Sequence, residues 1–360
     1  MKVLHITNWY PNDANPNESP FIKRHIQSIE PFVQQKIFHL NISKGRFLLL
    51  INLKTFILKL PGLPWLFSEL FSCLVLLCYL GYQRVNRNYD IINFHIAYPN
   101  LTFWNQIFKW VKIPVVITEH WSAYHLNFGV SKKLPRISQI FHQSIPVIAV
   151  SQALIDDIRD YSQKEFPSYI VPNVVDKKVF YRDHGIERES KRFFMVSQWK
   201  EPKQPFIVIG AFKKLLREDS DVKLYIGGFG PQWLQMKEAV ESVDQIQLLG
   251  KLNSEEIALQ MNMASAYLHP SDYETFSVVC AEALSCGCPV ISSEVGGIVE
   301  FVNETNGILV RENKEDQFFT AMHEFLTDPL SFEEIDTFSV RSVGARYYNI
   351  LQNIINEANE

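Results

Sequence analysis

The sequence predicts an α/β protein built on two doubly wound parallel sheets. Three observations carry this. Short β-branched runs alternate with helix-length amphipathic stretches along the chain. Several runs, such as Val115-Val116-Ile117-Thr118 and Pro146-Val147-Ile148-Ala149-Val150, are apolar on both faces, as a parallel strand covered by helices on each side must be. A length of 360 residues leaves room for two cores, and the series breaks once, at the charged stretch 176–192. Two Rossmann-like domains, 1–180 and 190–335, are therefore expected to face each other across a cleft.

In the first domain strands are expected at 2–8, 35–41, 91–96, 115–118 and 147–150, and in the second at 193–198, 222–227, 246–249, 266–269, 289–292 and 307–310. Residues 63–82 (LPWLFSELFSCLVLLCYLGY) are about as long as a membrane span. Glu69 interrupts them and two prolines and a glycine flank them, so a buried or membrane-surface helix is expected rather than a span. Residues 45–60 are apolar but carry Arg46, Lys54 and Lys59. They read either as a membrane-surface segment, where burial and attraction to anionic lipid add, or as a pair of core helices with solvated lysines.

Composition narrows the function. With 47% hydrophobic and 21% charged residues and a mean hydropathy of -0.05, disorder, collagen-like structure and a polytopic membrane protein are excluded. A net charge of -4 excludes a general nucleic-acid binder. The charge is divided unevenly: residues 1–150 hold 15 Lys and Arg against 6 Asp and Glu, and the remainder 20 against 33. A basic first half and an acidic second half imply different partners, an anionic membrane surface or acceptor suiting the first. Five cysteines, an odd count, fit reduced thiols in a cytoplasmic protein. Cys280, Cys286 and Cys288 complete no zinc pattern and read as small core residues. The first residues, Met1–Ile6, run straight into a strand without an apolar signal core, so secretion is not expected.

The most informative segment is 268–290, LHPSDYETFSVVCAEALSCGCPV. A strand ends at His269-Pro270, a polar loop carrying Glu274 follows, and an apolar helix starts near Val278 with Glu282 one turn inside. The N–H groups of Ser277, Val278 and Val279 would point outside the strand's carboxyl end, where doubly wound sheets bind ligands and a helix N-terminus favours an anion such as a diphosphate. Carboxylates touching that anion would repel it; flanking it, they suit hydroxyl groups. A ligand with hydroxyls at both ends and a diphosphate between them is a nucleotide sugar. Read in isolation, Glu274 is a loop residue and Glu282 a solvated helix residue; the strand before and helix after raise the pair above that.

This segment resembles the donor-site signature of retaining glycosyltransferases of the GT-B fold, family 4 (glycosyl transferases group 1). Further resemblances follow in the family's order: Thr118-Glu119-His120 at a strand end, Val150-Ser151 before a helix, Val171-Pro172-Asn173-Val174-Val175-Asp176, Leu224–Gly230 with its Gly228 turn, Val295-Gly296-Gly297 with Glu300, and Asn306-Gly307. Residues 342–358 resemble the tail helix that crosses back onto the N-terminal domain. The resemblance implies that Glu274 holds the donor sugar hydroxyls and Glu282 the ribose. It places the amides of Phe276, Ser277 and Val278 near the sugar and phosphates, His120 near the reaction centre, and Lys203 on the leaving diphosphate, where a fixed cation meets the main electrostatic need of the reaction. It implies a donor-binding C-terminal domain and an acceptor-binding N-terminal one, with a glycan or lipid-linked acceptor. No cofactor is implied beyond the nucleotide sugar as co-substrate, and no metal, since no Asp-x-Asp motif stands in the candidate site.

Three departures stand out. The family's Arg falls on Gln198, leaving one positive charge fewer: either Lys203 and the helix N-terminus suffice, or Lys200 substitutes, or activity is weak. Its glycines beside Phe276 are Thr275 and Ser277. The paired glycines of its first loop are absent from 9–20 (WYPNDANPNESP). Alternatives are a GT-B epimerase or phosphorylase, and a non-catalytic sugar-nucleotide-binding subunit. A nicotinamide enzyme lacks support, because Trp9-Tyr10-Pro11 replaces a Gly-x-Gly-x-x-Gly turn.

Overall fold

The computed structural model describes residues 1–12, 15, 18–52, 54–332 and 334–360. Within the loop 9–20, residues 13, 14, 16 and 17 therefore lie outside the described residues. The chain divides into two compact units, Met1–Val174 with Val340–Glu360, and Val175–Ser339.

The first unit holds β1 (Lys2–Thr7), β2 (Gln34–Lys44), β3 (Leu48–Ile51), β4 (Thr55–Leu60), β5 (Ile91–His95), β6 (Val115–Glu119), β7 (Val147–Ala149) and β8 (Ser168–Ile170). Their order is β3-β4-β2-β1-β5-β6-β7-β8. Every pairing is parallel except β3 with β4. On one face of the sheet the core takes one residue from each central strand: Val3, Ile91, Val116 and Ile148. The helix Val340–Asn359 closes over it with Val343, Tyr347, Leu351 and Ile354, a stripe at helical spacing. That helix approaches the helix Pro20–Ser28 so closely that a Cβ on Gly344 would strike the Ser28 carbonyl.

The second unit is parallel throughout: β9 (Arg192–Gln198), β10 (Lys223–Phe229), β11 (Ile246–Gly250), β12 (Ala266–His269), β13 (Val290–Ser293) and β14 (Gly307–Val310). The order is β11-β10-β9-β12-β13-β14. Connections run outward in one direction from β9 and in the other from β12, so the strand order reverses between these two. Phe193, Met195, Leu224, Ile226 and Leu268 pack under the helices Pro205–Glu218 and Glu315–Thr327. The charged stretch 176–192 is fastened to this unit, Arg188 Nη1 donating to the Gly287 carbonyl at 2.6 Å and Arg182 Nη1 to that of Asn262 at 3.2 Å.

Two expectations need correction. Residues 45–60 form no pair of helices; they supply β3 and β4 at the edge of the first sheet. The reversal is made by Asn52, whose side-chain oxygen accepts the Lys54 N–H at 2.8 Å while its backbone exchanges bonds with Thr55. A local side-chain bond of this kind offers the backbone a turn in place of a helix. Because of this hairpin the first sheet is also not wholly parallel. β8 was not anticipated, its three residues being too short for an alternation to show. The helix expected at 63–82 is present as Trp65–Tyr82. Among the described residues no helix is long and apolar enough to cross a membrane.

Candidate active site

The strand order reverses between β9 and β12, and the residues that follow these two strands meet outside their carboxyl ends. After β9 the chain turns through Glu201–Pro202, and the Asp272 N–H bonds the Pro202 carbonyl at 3.0 Å. Lys203 pairs as a short bridge with Ser271, and the Gln204 N–H bonds the Pro270 carbonyl at 3.0 Å. The two loops are thereby stitched together, and Lys203 is fixed beside the loop that carries Glu274.

A buried polar cluster results. Lys203 Nζ contacts Glu274 Oε1, and His269 Nε2 lies 2.7 Å from the same oxygen. Lys203 Nζ is 3.4 Å from His269 Nε2, and Ser277 Oγ is 3.3 Å from it. His269 Nδ1 faces the Tyr267 hydroxyl at 3.3 Å. The 2.7 Å contact with Glu274 favours the neutral imidazole with its proton on Nε2, donating to the carboxylate, while the Tyr267 hydroxyl donates to the Val196 carbonyl at 2.9 Å. Burial and the neighbouring ammonium hold His269 well below its usual range. Burial pushes the Lys203 ammonium down to about 8; the Glu274 carboxylate in contact with it opposes that fall.

The helix Val278–Ser285 begins directly after this cluster. Its first turn leaves the N–H groups of Val278, Val279 and Cys280 outside the helical ladder, which makes an anion-binding end. Ser277, where the resembling family has glycine, sits at φ 69° and ψ 82°, in the left-handed region. A non-glycine residue pays roughly 1–2 kcal/mol there, which explains why glycine suits the position. Phe276 offers only backbone, because its ring packs against Phe301 and Phe338 at centroid distances of 5.0 and 5.4 Å. Glu282, half-buried, lies within electrostatic reach of Tyr267 and Cys280. Gln198 ends β9 with an exposed side chain, as does the nearby Lys200.

Gly228 is required by the chain itself. At φ 109° a Cβ would overlap the Ser197 carbonyl oxygen. The variant Gly228→Ala is expected to cost about 2–4 kcal/mol, from a strained backbone and a displaced strand. Urea denaturation checks this, and an unchanged midpoint would contradict it.

His120 belongs to the first unit. Its Nδ1 lies 3.1 Å from Asn173 Oδ1, and its ring packs against those of His25 and Phe21 at 5.1 and 5.4 Å. Burial holds the imidazole down to about 4, so it is neutral at physiological pH. The preceding Glu119 is buried, accepting from the Ala97 N–H at 2.8 Å and the Tyr124 hydroxyl at 2.7 Å. Its burial raises the carboxyl to about 7. Beside it, a cavity of about 460 Å³ is walled by Tyr98, Trp121 and Phe128, with Ser43, Ser68 and Lys44 as polar contacts.

Lys203, Glu274, Ser277 and the start of the Val278 helix thus come together around β9 and β12, while His120 and the aromatic cavity lie in the other unit. The sequence reading assigned Lys203 and Glu274 to different parts of a ligand; the structure pairs them. In the sequence His269 reads only as a strand end. The signal available was its place as the last residue of the strand before the loop. Among the described residues no group of three His, Cys, Asp or Glu side chains is arranged as metal ligands.

A mainly parallel sheet in the first unit and a wholly parallel one in the second, with a polar cluster where the second sheet's strand order reverses, define two Rossmann-like α/β units. Two family models match in succession, Glycosyltransferase Family 4 over residues 53–179 and Glycosyl transferases group 1 over residues 176–338. The chain belongs to the group 1, family 4 glycosyltransferases. It is 28% identical over 229 residues to N-acetyl-alpha-D-glucosaminyl L-malate synthase of Bacillus anthracis, a match covering 60% of this chain and 59% of that protein. Among solved structures it is similar to the lipopolysaccharide outer core galactosyltransferase WaaB, with a TM-score of 0.72 at 16% identity, covering 98% of this chain and 99% of that one. HepE of Anabaena in complex with UDP gives 0.70 at 16% identity, covering 98% and 100%. These likenesses show the GT-B fold.

Proposed function

We propose that the chain transfers a sugar from a nucleoside diphosphate sugar to a glycan or lipid-linked acceptor, with retention of configuration and without a metal ion. The observation that carries this is the Lys203–Glu274–His269 cluster in front of the Val278 helix. It puts a cation, a positioned carboxylate and an anion-binding helix end where the strand order reverses. The diphosphate would sit on the Val278 and Val279 amides and draw Lys203 to itself. Glu274, oriented by His269, would then accept from the sugar hydroxyls, and Glu282 from the ribose. Gln198 and Lys200 would flank the diphosphate. The HepE structures with UDP and with UDP-glucose support a donor of this class.

In the reaction the acceptor hydroxyl oxygen bonds to the anomeric carbon on the face the diphosphate leaves. The bond to the diphosphate oxygen breaks, and that oxygen takes the acceptor's proton. Lys203 and the helix end stabilise the departing charge. His120, neutral, offers a hydrogen bond and no charge. The aromatic cavity beside it suits the apolar face of an acceptor sugar ring, and we assign the acceptor to it.

The test is transfer by purified protein, with donors found by a melting-temperature screen of nucleoside diphosphates and their sugars. Glu274→Ala is expected to lower transfer by about a hundredfold or more, since a charged hydrogen-bond acceptor to the reacting sugar is lost. Unchanged turnover in that variant overturns its role. The exposed Gln198 also motivates a second reading, a subunit that binds sugar nucleotides without turning them over. Tight donor binding with neither hydrolysis nor transfer would decide for it.

A further inference from the structure

The helix Trp65–Tyr82 has an unusual outer face. At 1.5 Å per residue its 18 residues extend about 27 Å. Leu66, Leu70, Leu74, Cys78 and Tyr82 follow one another at intervals of four, and all are exposed. Phe67 joins them, 55% exposed. The helix holds a single charged residue, Glu69, and that side chain turns inward to the Tyr98 hydroxyl at 2.9 Å and Arg136 Nε at 3.0 Å. The face turned to solvent is left wholly uncharged.

The apolar surface continues beyond the helix. Phe71 meets Phe67 on one side and Phe56 of β4 on the other, at 6.3 and 6.1 Å. Phe56 pairs with Ile51 across the hairpin, and Leu58 with Leu49, so these four side chains share one sheet face. Ile51 is 61% exposed and Phe47, just before β3, 69%. At the other end of the helix a cavity of about 700 Å³ opens between Leu77, Val85, Val111 and the 71% exposed Trp110. Monomeric proteins rarely leave an apolar surface of this extent uncovered.

Charge identifies what covers it. Between residues 44 and 112 the only acidic side chains are the buried Glu69 and Asp90, which accepts the Lys2 N–H at 2.7 Å. Arg46 and Lys54 flank β3, and Arg84 and Arg87 line the cavity. A second copy of the chain meeting the same face would bring these cations onto one another, which opposes a two-fold dimer. An anionic bilayer meets both demands at once, taking the apolar stripe at the headgroup boundary and the cations on its phosphates.

We propose that this face of the first unit docks on an anionic phospholipid surface, with the Trp65–Tyr82 helix lying in the plane of the interface. The inference does not rest on the donor site and stands or falls separately from it. The test is co-sedimentation of the full chain with vesicles of phosphatidylglycerol and phosphatidylcholine, and with phosphatidylcholine alone. Binding is expected to the anionic vesicles, falling with added salt. Arg84→Ala with Arg87→Ala should weaken it about thirtyfold, from roughly fivefold per cation near an anionic surface. Leu70→Glu with Leu74→Glu should abolish it while leaving the melting temperature unchanged, since both side chains are exposed. Brominated acyl chains should quench the parent more than Trp110→Phe. Indifference to vesicles overturns the proposal, as does equal binding to neutral and anionic ones. So does a dimer in sedimentation equilibrium that Leu70→Glu with Leu74→Glu dissolves.

Discussion

Replacing Lys203 by methionine is expected to lower sugar transfer by about a hundred- to a thousandfold while weakening nucleoside diphosphate binding far less. Removing one preorganised stabiliser of a developing charge costs on that order in turnover. The charge on the leaving diphosphate grows as the glycosidic bond breaks, so the ammonium matters more at that point than in the ground state. Methionine keeps the packing of the stem while deleting the charge. It leaves Glu274 with His269 alone as partner, so some stability is lost as well, and a melting curve must accompany the kinetics. Lys203→Arg should recover part of the turnover. Transfer and binding falling by the same factor would refute the leaving-group role.

The second large effect is expected with acid. His5 is held down to about 3 and His39 and His120 to about 4, by burial in each case, and His25 and His95 lie well below their usual range. Four of these rings form one cluster, His5 with His95 at 5.1 Å, His25 with His120 at 5.1 Å, and His95 with His120 at 6.3 Å. An imidazole depressed in the folded state contributes stability above its unfolded value of about 6.5 and loses it as pH falls toward the folded value. Each ring then costs up to about 1.4 kcal/mol per pH unit. Glu119, raised to about 7, acts in the opposite sense, stabilising as pH falls from 7 toward its unfolded value. Glu69 and Glu18, also raised by burial, act in the same sense as Glu119, and three carboxyls against five imidazoles still leave the balance with the histidines. The first unit should therefore lose several kcal/mol between pH 6.5 and 4.5, a large part of the about 5–15 kcal/mol that holds a domain together. Urea midpoints across that range provide the measurement. His25→Phe, which keeps the ring stacked on Tyr347 at 4.7 Å, should lower the slope by about one proton. A midpoint flat from pH 7.5 to 5 would contradict the account.

Much of the fold is legible in the chain because its evidence is local. The both-face apolar runs at 115–118 and 147–150 announce parallel strands, and the tail helix follows from the resemblance of residues 342–358. The site was partly legible for the same reason: a strand end, a polar loop and a helix start, all within 268–290, put Glu274 and the Val278 amides in one place. Residues 45–60 misled because Leu-rich composition favours helix, whereas the Asn52 side chain and pairing with distant β2 made strands.

What the sequence determined by itself is therefore the alternation of elements, the parallel character of the second sheet, the loop-to-helix anion end and the family. Tertiary structure alone decided that Lys203 lies against Glu274, 71 positions later, that His269 orients the same carboxylate, and that Glu69 turns inward to leave its helix bare outside. The physical reason is the range of the forces involved. Periodicity and capping act between residues a few positions apart and leave their pattern in the sequence, while a buried ion pair exists only once β9 and β12 lie side by side and water has been excluded from between their loops.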